Sequence, residues 1–332
     1  MFRGDDDDIA IGSLGALPDL SKPRWDQRTF AGRAKHFIAT INPLNIFHSD
    51  DTLENSRSLV SEYKKGNYDP KLTVGELYKA KEIFDSAYHP ESGEKMFILG
   101  RMSSQVPCNM ILNGGLLTFR SSFPSVVFWH WLNQSFNATV NYSNRSGDGA
   151  SNKRLLASYC CATGGAVTTA LYLNSLVKNA SGFMPRFIPF TAVALANAIN
   201  IPMMRSQELQ YGVVLRDENG EEVGHSQRAA YIAIAQVVLS RISMAASTMV
   251  TTPLLMKLIE KRRWYMKHKS LALAAIVQTL IAGATLTITT PLCCAFFEQN
   301  ASISVSTLEE DVRKSIESRP NAPTTVYYNK GL

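Results

Sequence analysis

The chain has 332 residues, 45% hydrophobic and 19% charged, with a net charge of +6 and a mean hydropathy of −0.07. That average suits two soluble domains, but the charge is unevenly spread. Residues 1 to 95 hold 29 of the 62 charged side chains, 16 acidic and 13 basic, whereas residues 96 to 297 hold 24, 17 basic and 7 acidic. The basic residues cluster between apolar runs and form no aromatic-interleaved stripe, so they read as topology signals and not as a nucleic-acid surface.

Residues 1 to 95 predict a soluble helical segment. The opening Met1-Phe2-Arg3-Gly4, followed by Asp5 to Asp8, fits neither a signal peptide nor a transit peptide, so any organellar address is expected to be internal. From Thr29 to Ile41, Phe30, Ala34, Phe37 and Ile41 recur at helical spacing until Pro43 stops the pattern. Two readings fit this amphipathic helix, packing on the rest of the segment or contact with a membrane surface. Further helices are expected from Asp51 to Lys65, ended by Gly66, and from Val74 to Tyr88, ended by His89-Pro90. The loop His89-Pro90-Glu91-Ser92-Gly93 reads either as a gate or partner-docking loop or as a helix stop and turn.

A bilayer core needs about 20 residues of helix. Five regions between residues 96 and 297 supply runs of that order, near 102–119, 155–177, 187–204, 229–256 and 270–297, four of them charge-free with charges at their ends. The fourth contains Arg241, which marks either a helix end or an internal polar path. Basic loops at 178–186 and 257–269 share one side in a five-span arrangement, and the positive-inside rule makes that side cytosol-like, or the matrix in a mitochondrial membrane. Between the third and fourth runs, Asp217-Glu218-Asn219-Gly220 signals an exposed hairpin over 211–224, and residues 298–332 read as a C-terminal tail. The sequence thus predicts an all-α, polytopic membrane protein with about five transmembrane helices and an N-terminal soluble helical segment.

The stretch from Phe128 to Asn144 is also charge-free, but Asn133, Asn137, Asn141 and Asn144 fall four, four and three residues apart, one polar stripe on a helix. Trp129, Leu132, Phe136 and Val140 form the adjoining face, which predicts an amphipathic or re-entrant helix over 128–144. Carboxamides recognise a small polar or zwitterionic solute without the desolvation cost of an ion, and they equally serve as glue between helices. Asn133, Gln134, Asn137, Asn141 and Asn144 are therefore candidate solute contacts, with Arg145 as carboxylate partner and His89, Pro90 and Glu91 as gate elements. Pro107, Gly114-Gly115, Gly164-Gly165, Pro189, Pro202, Pro253 and Pro291 are candidate helix interruptions of the kind that expose backbone to a solute.

The five cysteines, Cys108, Cys160, Cys161, Cys293 and Cys294, form neither CxxC nor metal-ligand spacing, and adjacent pairs rarely bridge. No Walker loop, GxSxG, HExxH or dinucleotide fingerprint occurs, so no enzyme chemistry, metal or cofactor is expected. Iron lacks a ligand cluster, and citrate lacks convergent arginines beyond Arg101, Arg120, Arg145 and Arg241.

SKPRWDQRTFAGRAKHF at 21–37, HPESGEKM at 89–96, GRMSSQVPCNM at 100–110, FWHWLNQSFNATVNYSNRSGD at 128–148, INIPMMRSQEL at 199–209, TPLCCAFF at 290–297 and the final VYYNKGL resemble the sideroflexins over nearly the whole chain. These are mitochondrial inner-membrane carriers once called tricarboxylate carriers, and the PLCC ending resembles their serine-transporting branch. The resemblance implies import of serine, extending to alanine or cysteine, for one-carbon metabolism. HPES stands where the family usually has HPDT, and Trp131 follows His130 where Gln is common. An alternative class is an inner-membrane scaffold or assembly protein that holds a protein partner through residues 1–95, and a carrier of citrate or iron is a further one.

Overall fold

A computed structural model describes residues 6–20, 22–89, 92–119, 121–143, 152–176, 187–319 and 322–331. The chain divides into two compact units, Met1–Asn109 with Thr139–Gly147, and Met110–Ala138 with Asp148–Leu332.

In the first unit, α1 (Phe30–Thr40), α2 (Asp50–Lys64) and α3 (Val74–Ala87) each begin at a hydroxyl cap, Thr29, Ser49 and Thr73. The Thr73 cap is a full capping box with Glu76, which satisfies two otherwise orphaned backbone donors. Ile11, Leu20, Val60, Leu77 and Ala80 form the core. Ala34, Phe37 and Ile41 are buried, so most of the apolar face of α1 is spent on packing within the protein.

The second unit is organised by long helices. α4 (Gln105–Thr118) and α5 (Phe123–Ser143) are followed by α6 (Asn152–Leu176), α7 (Ile188–Met204) and α8 (Ser206–Tyr211). After two strands come α9 (Gln227–Ile259), α10 (Arg263–Lys267) and α11 (Leu271–Cys294). Among the described residues, α9 and α11 are long and apolar enough to cross a membrane, while α7 is apolar but has only 17 residues. α6 has the length, at 25 residues, but Tyr159, Thr163, Thr168, Thr169 and Asn174 dilute its apolar character.

The expected helix interruptions do not occur. α4 runs through Gly114-Gly115, α6 through Gly164-Gly165, and α7, α9 and α11 through Pro202, Pro253 and Pro291. The glycines serve close approach instead. A Cβ on Gly114 would lie 2.1 Å from Thr279 Oγ1 and 3.0 Å from its Cα, so α4 and α11 meet nearly backbone to backbone. Nor does α9 end at Arg241; it continues for a further 18 residues to Ile259.

The all-α expectation also needs correction. Strands β1 (Val213–Arg216) and β2 (Glu222–Ser226) form the hairpin, and β3 (Asn300–Ser304) and β4 (Thr325–Asn329) extend it into an antiparallel sheet of order β2-β1-β4-β3. The C-terminal segment is thus folded, with α12 (Glu310–Glu317) between its strands. Leu215, Val223, Ile303, Val326 and Tyr328 of the sheet bury Ala229 and Ala233 of α9. The missed signal is period-two alternation, with Ala301 and Ile303 inward and Asn300, Ser302 and Ser304 outward.

Glu309 joins this sheet region to the first turn of α9. Its carboxylate accepts from Ser226 Oγ (2.7 Å) and from the backbone N–H of Arg228 (2.6 Å), where the helix dipole also favours negative charge. Burial pushes the Glu309 carboxyl up, but these bonds outweigh it and hold the group below the usual carboxylate range. Such a group contributes stability above its unfolded value, near pH 4.3, and the contribution is lost as pH falls through the lower folded value. Thermal melts of detergent-solubilised protein should show that Glu309→Gln flattens the fall in stability from pH 6 to pH 3.5; an unchanged pH dependence would remove this role.

Candidate functional site

α5 begins where Ser122 Oγ accepts from the backbone N–H of Ser125 (3.4 Å), with Pro124 in the first turn. Its burial is inverted relative to a helix lying on water. Phe128 and Trp131 are 49% and 46% exposed, whereas His130, Asn133 and Gln134 are 2%, 3% and 2% exposed. Val126, Phe136 and Val140 are buried alongside them, at 5%, 7% and 4%, so the buried side of this helix mixes polar and apolar side chains. His130, Asn133 and Gln134 of this helix face protein interior.

Three buried polar atoms of α5, His130 Nδ1, Asn133 Nδ2 and Gln134 Nε2, have no hydrogen-bond partner among the described residues. Leaving such a group unsatisfied costs roughly 1–3 kcal/mol, so three within five residues are an expensive cluster for packing alone to maintain. By contrast, the neighbouring Ser135 is well served, with Oγ 2.9 Å from both the Trp131 carbonyl and the Tyr159 hydroxyl of α6. That pair fixes the rotation of α5 against α6.

One turn earlier, a narrow cavity lies among α4, α5, α6 and α7. Its polar lining is His130 and Asn174, set against Leu116, Phe119, Trp129 and Pro189. Phe119 and Trp129 stack at 5.8 Å on one wall. The centre of a water-sized sphere can move through only ≈ 10 Å³ of it, about one water molecule. A solute the size of an amino acid enters only if these helices part.

The structure brings Asn133 and Gln134 together beside His130, and leaves Asn137 half-buried one turn on. The backbone of Asn141 continues the same helix. Asn144, Arg145, Pro90 and Glu91 lie outside the described residues. His89 belongs to the first unit, where its Nδ1 accepts from the Ser92 N–H (3.3 Å) and its backbone pairs with Glu94 and Gly93 in a tight turn. Gly93, at φ 67°, supplies the bend. Sequence reasoning passed over His130 and Asn174. The signal for His130 was a lone imidazole in a charge-free run; a single Asn among the other polar residues of α6 gives none.

Two helices long and apolar enough to cross a membrane, beside a helix with buried amides, are features shared with membrane-associated helical proteins. A family model described as Sideroflexins matches residues 19–332. The chain is 56% identical over 323 residues to Sideroflexin-1.1 of Caenorhabditis elegans, covering 95% of this chain and 97% of that protein. It is 48% identical over 322 residues to Sideroflexin-1 of Homo sapiens (96% and 99%), and 49% over 323 residues to Sideroflexin-3 of Bos taurus (96% and 100%). The chain belongs to the sideroflexin family. No solved structure matches it.

Replacing a buried, unsatisfied polar side chain by an apolar one of similar shape removes a penalty without opening a cavity. Gln134→Met and Asn133→Leu should therefore leave the melting temperature of the purified protein unchanged or raise it, by the equivalent of about 1 kcal/mol each. A drop of several degrees in both would show that the amides are structural glue.

Proposed function

We propose that the chain is a multi-pass carrier of the mitochondrial inner membrane that imports serine, with alanine or cysteine as further cargo, to supply one-carbon metabolism. In this reading α4, α6, α7, α9 and α11 cross the bilayer and α5 is packed among them. The observation that carries the reading is the cluster of unsatisfied His130, Asn133 and Gln134 in the interior of a charge-poor helical unit. Evolution retains expensive buried polar groups where they meet a ligand, and neutral amides suit a solute whose own charges cancel. Family membership supports transport as the activity class.

Transport by this route needs no covalent step, so the protein is a carrier and not an enzyme. Serine would displace its water onto the amide and imidazole donors, while Phe119 and Trp129 wall off the apolar side. Asn137, Asn141 and Asn144 would continue the polar track, Arg145 would meet the carboxylate, and His89, Pro90 and Glu91 would act at an entrance. The small volume of the α4–α7 cavity supports a closed form, from which opening to either side gives alternating access.

A second reading, a scaffold or assembly protein, is favoured by apolar side chains exposed on the first unit, including Leu44 at 67%, Phe47 at 81% and Phe97 at 61%. The two readings separate experimentally. Purified protein in liposomes should accumulate labelled serine above protein-free vesicles, and Gln134→Met with Asn133→Leu should lower uptake at least tenfold at undiminished thermal stability. Serine accumulation no greater than in empty vesicles would reject the carrier. Inhibition of uptake by citrate or ferrous iron, without inhibition by alanine, would replace serine with those cargoes.

A further inference from the structure

Two short 3-10 turns of the first unit turn large apolar side chains outward. In Pro43–Phe47, Asn42 Oδ1 accepts from the Leu44 N–H (3.1 Å) and the buried Asn45 donates through Nδ2 to the Ala39 carbonyl (3.3 Å). These bonds fix the rotation of the turn. Residues three apart eclipse in 3-10 geometry, so Leu44 and Phe47 stand on one side, 67% and 81% exposed. Around Ile98–Gly100 the flanks are tied down: the Met96 N–H donates to the Ala87 carbonyl (2.8 Å), and Arg101 Nε to the Met96 carbonyl (3.2 Å). Met96 and Arg101 are buried, while Phe97, Ile98 and Leu99 between them are exposed. Both turns pack on a third, Met102–Ser104, and a Lys95–Asp50 ion pair joins their flanks, so the five side chains make one patch.

Three consecutive exposed apolar residues are a liability unless something covers them. Charge is kept away from this patch: residues 41–49 and 96–100 contain no Asp, Glu, Lys or Arg, so covering it desolvates no ion. Chain continuity selects the cover. Leu99 is six residues before Gln105, where α4 starts, and most of that link is 3-10 turn, which keeps Leu99 within roughly 15 Å of the helix. α4 itself has 14 residues, about 21 Å, less than the ~30 Å of a hydrocarbon layer. A helix that short, if it crosses, draws the turns before it down to the lipid headgroups. A protein partner would have to fit between the patch and the bilayer.

We propose that Leu44, Phe47, Phe97, Ile98 and Leu99 form a membrane-surface anchor that seats the first unit on the bilayer, with these side chains among the upper acyl chains. The anchor rests on the reading of α4 as a membrane span. Lys95 and Asp50 stay at its margin, in the wet headgroup layer. The membrane-facing element of this unit is thus a pair of turns and not the amphipathic helix α1, whose Ala34 and Phe37 are buried.

Full-length protein in liposomes that contain a phosphatidylcholine with a diazirine near the carbonyl end of one acyl chain is irradiated, digested and read by mass spectrometry. Leu17, 52% exposed in the same unit, is the control. Its neighbour Pro18 accepts from the Tyr63 hydroxyl (2.8 Å), and Tyr63 lies 13 residues along α2 from Asp50, about 20 Å from the patch edge. Lipid adducts at 44–47 and 97–99 should exceed those at Leu17 at least fivefold, and the double variant Phe47→Ser, Phe97→Ser should lower the adducts at Leu44 and Ile98 at least threefold. Adducts on α11 without an excess at the patch, or Lys95–Lys95 crosslinks between copies in place of lipid adducts, would overturn the anchor and leave the carrier reading standing. Adducts on neither α11 nor the patch would remove the carrier reading and the anchor together. Undiminished adducts in the double serine variant would mark chance collision with lipid and also overturn the anchor.

Discussion

A polar group taken out of water costs free energy that only a partner returns, and the architecture of this chain follows from where partners are supplied. In the first unit, buried Arg33 donates through Nη1 to the carbonyls of Gln27 (2.9 Å) and Arg28 (3.0 Å), and buried Ser86 donates to the carbonyl of Ile83 (2.8 Å). At the sheet, Ser226 both caps α9 and reaches Glu309. Within the long helices, nine buried side-chain atoms of the described residues lack a partner, on α4, α5, α6 and α9. His130, Asn133 and Gln134 on α5 are interior and incomplete, and such places are where a solute has something to offer.

Much of the helical plan was legible because charge is intolerable inside apolar packing. Gaps between Arg and Lys residues therefore marked helices, as in Ser270 to Phe297, where α11 occupies Leu271–Cys294. What misled was local propensity. Gly114-Gly115 and Pro253 looked like interruptions, yet neighbouring helices impose continuity, and the missing Cβ of Gly114 is used to admit Thr279. The C-terminal strands were missed because five-residue segments such as Asn300–Ser304 carry a weak pattern, and β1, to which β4 pairs, lies far away in sequence. Within the site, the asparagine spacing located α5, but only packing could say that Asn133 and Gln134 face inward while Phe128 and Trp131 face out.

Two kinds of helix contact coexist in the second unit. α4 meets α11 through Gly114 and Gly283, where atoms of the two helices are in close van der Waals contact. Around the α4–α7 cavity, side chains such as Leu116, Phe119 and Pro189 line a void and forgo part of that dispersion energy. α4 and α11 touch at Gly114 and Gly283, whereas α6 and α7, which wall the cavity, pack along one another extensively.

The length of α9 has a consequence of its own. Its 33 residues span about 50 Å, well beyond a hydrocarbon layer of ~30 Å, so in the proposed carrier its first turns would stand in the aqueous phase with the sheet packed on Ala229 and Ala233. Helix and sheet share one core there and rotate as a single lever. A tilt of a few degrees at mid-bilayer becomes a displacement of ångströms at the Asp217–Gly220 turn, and a probe attached to that turn reports the internal motion of the bundle from outside the membrane.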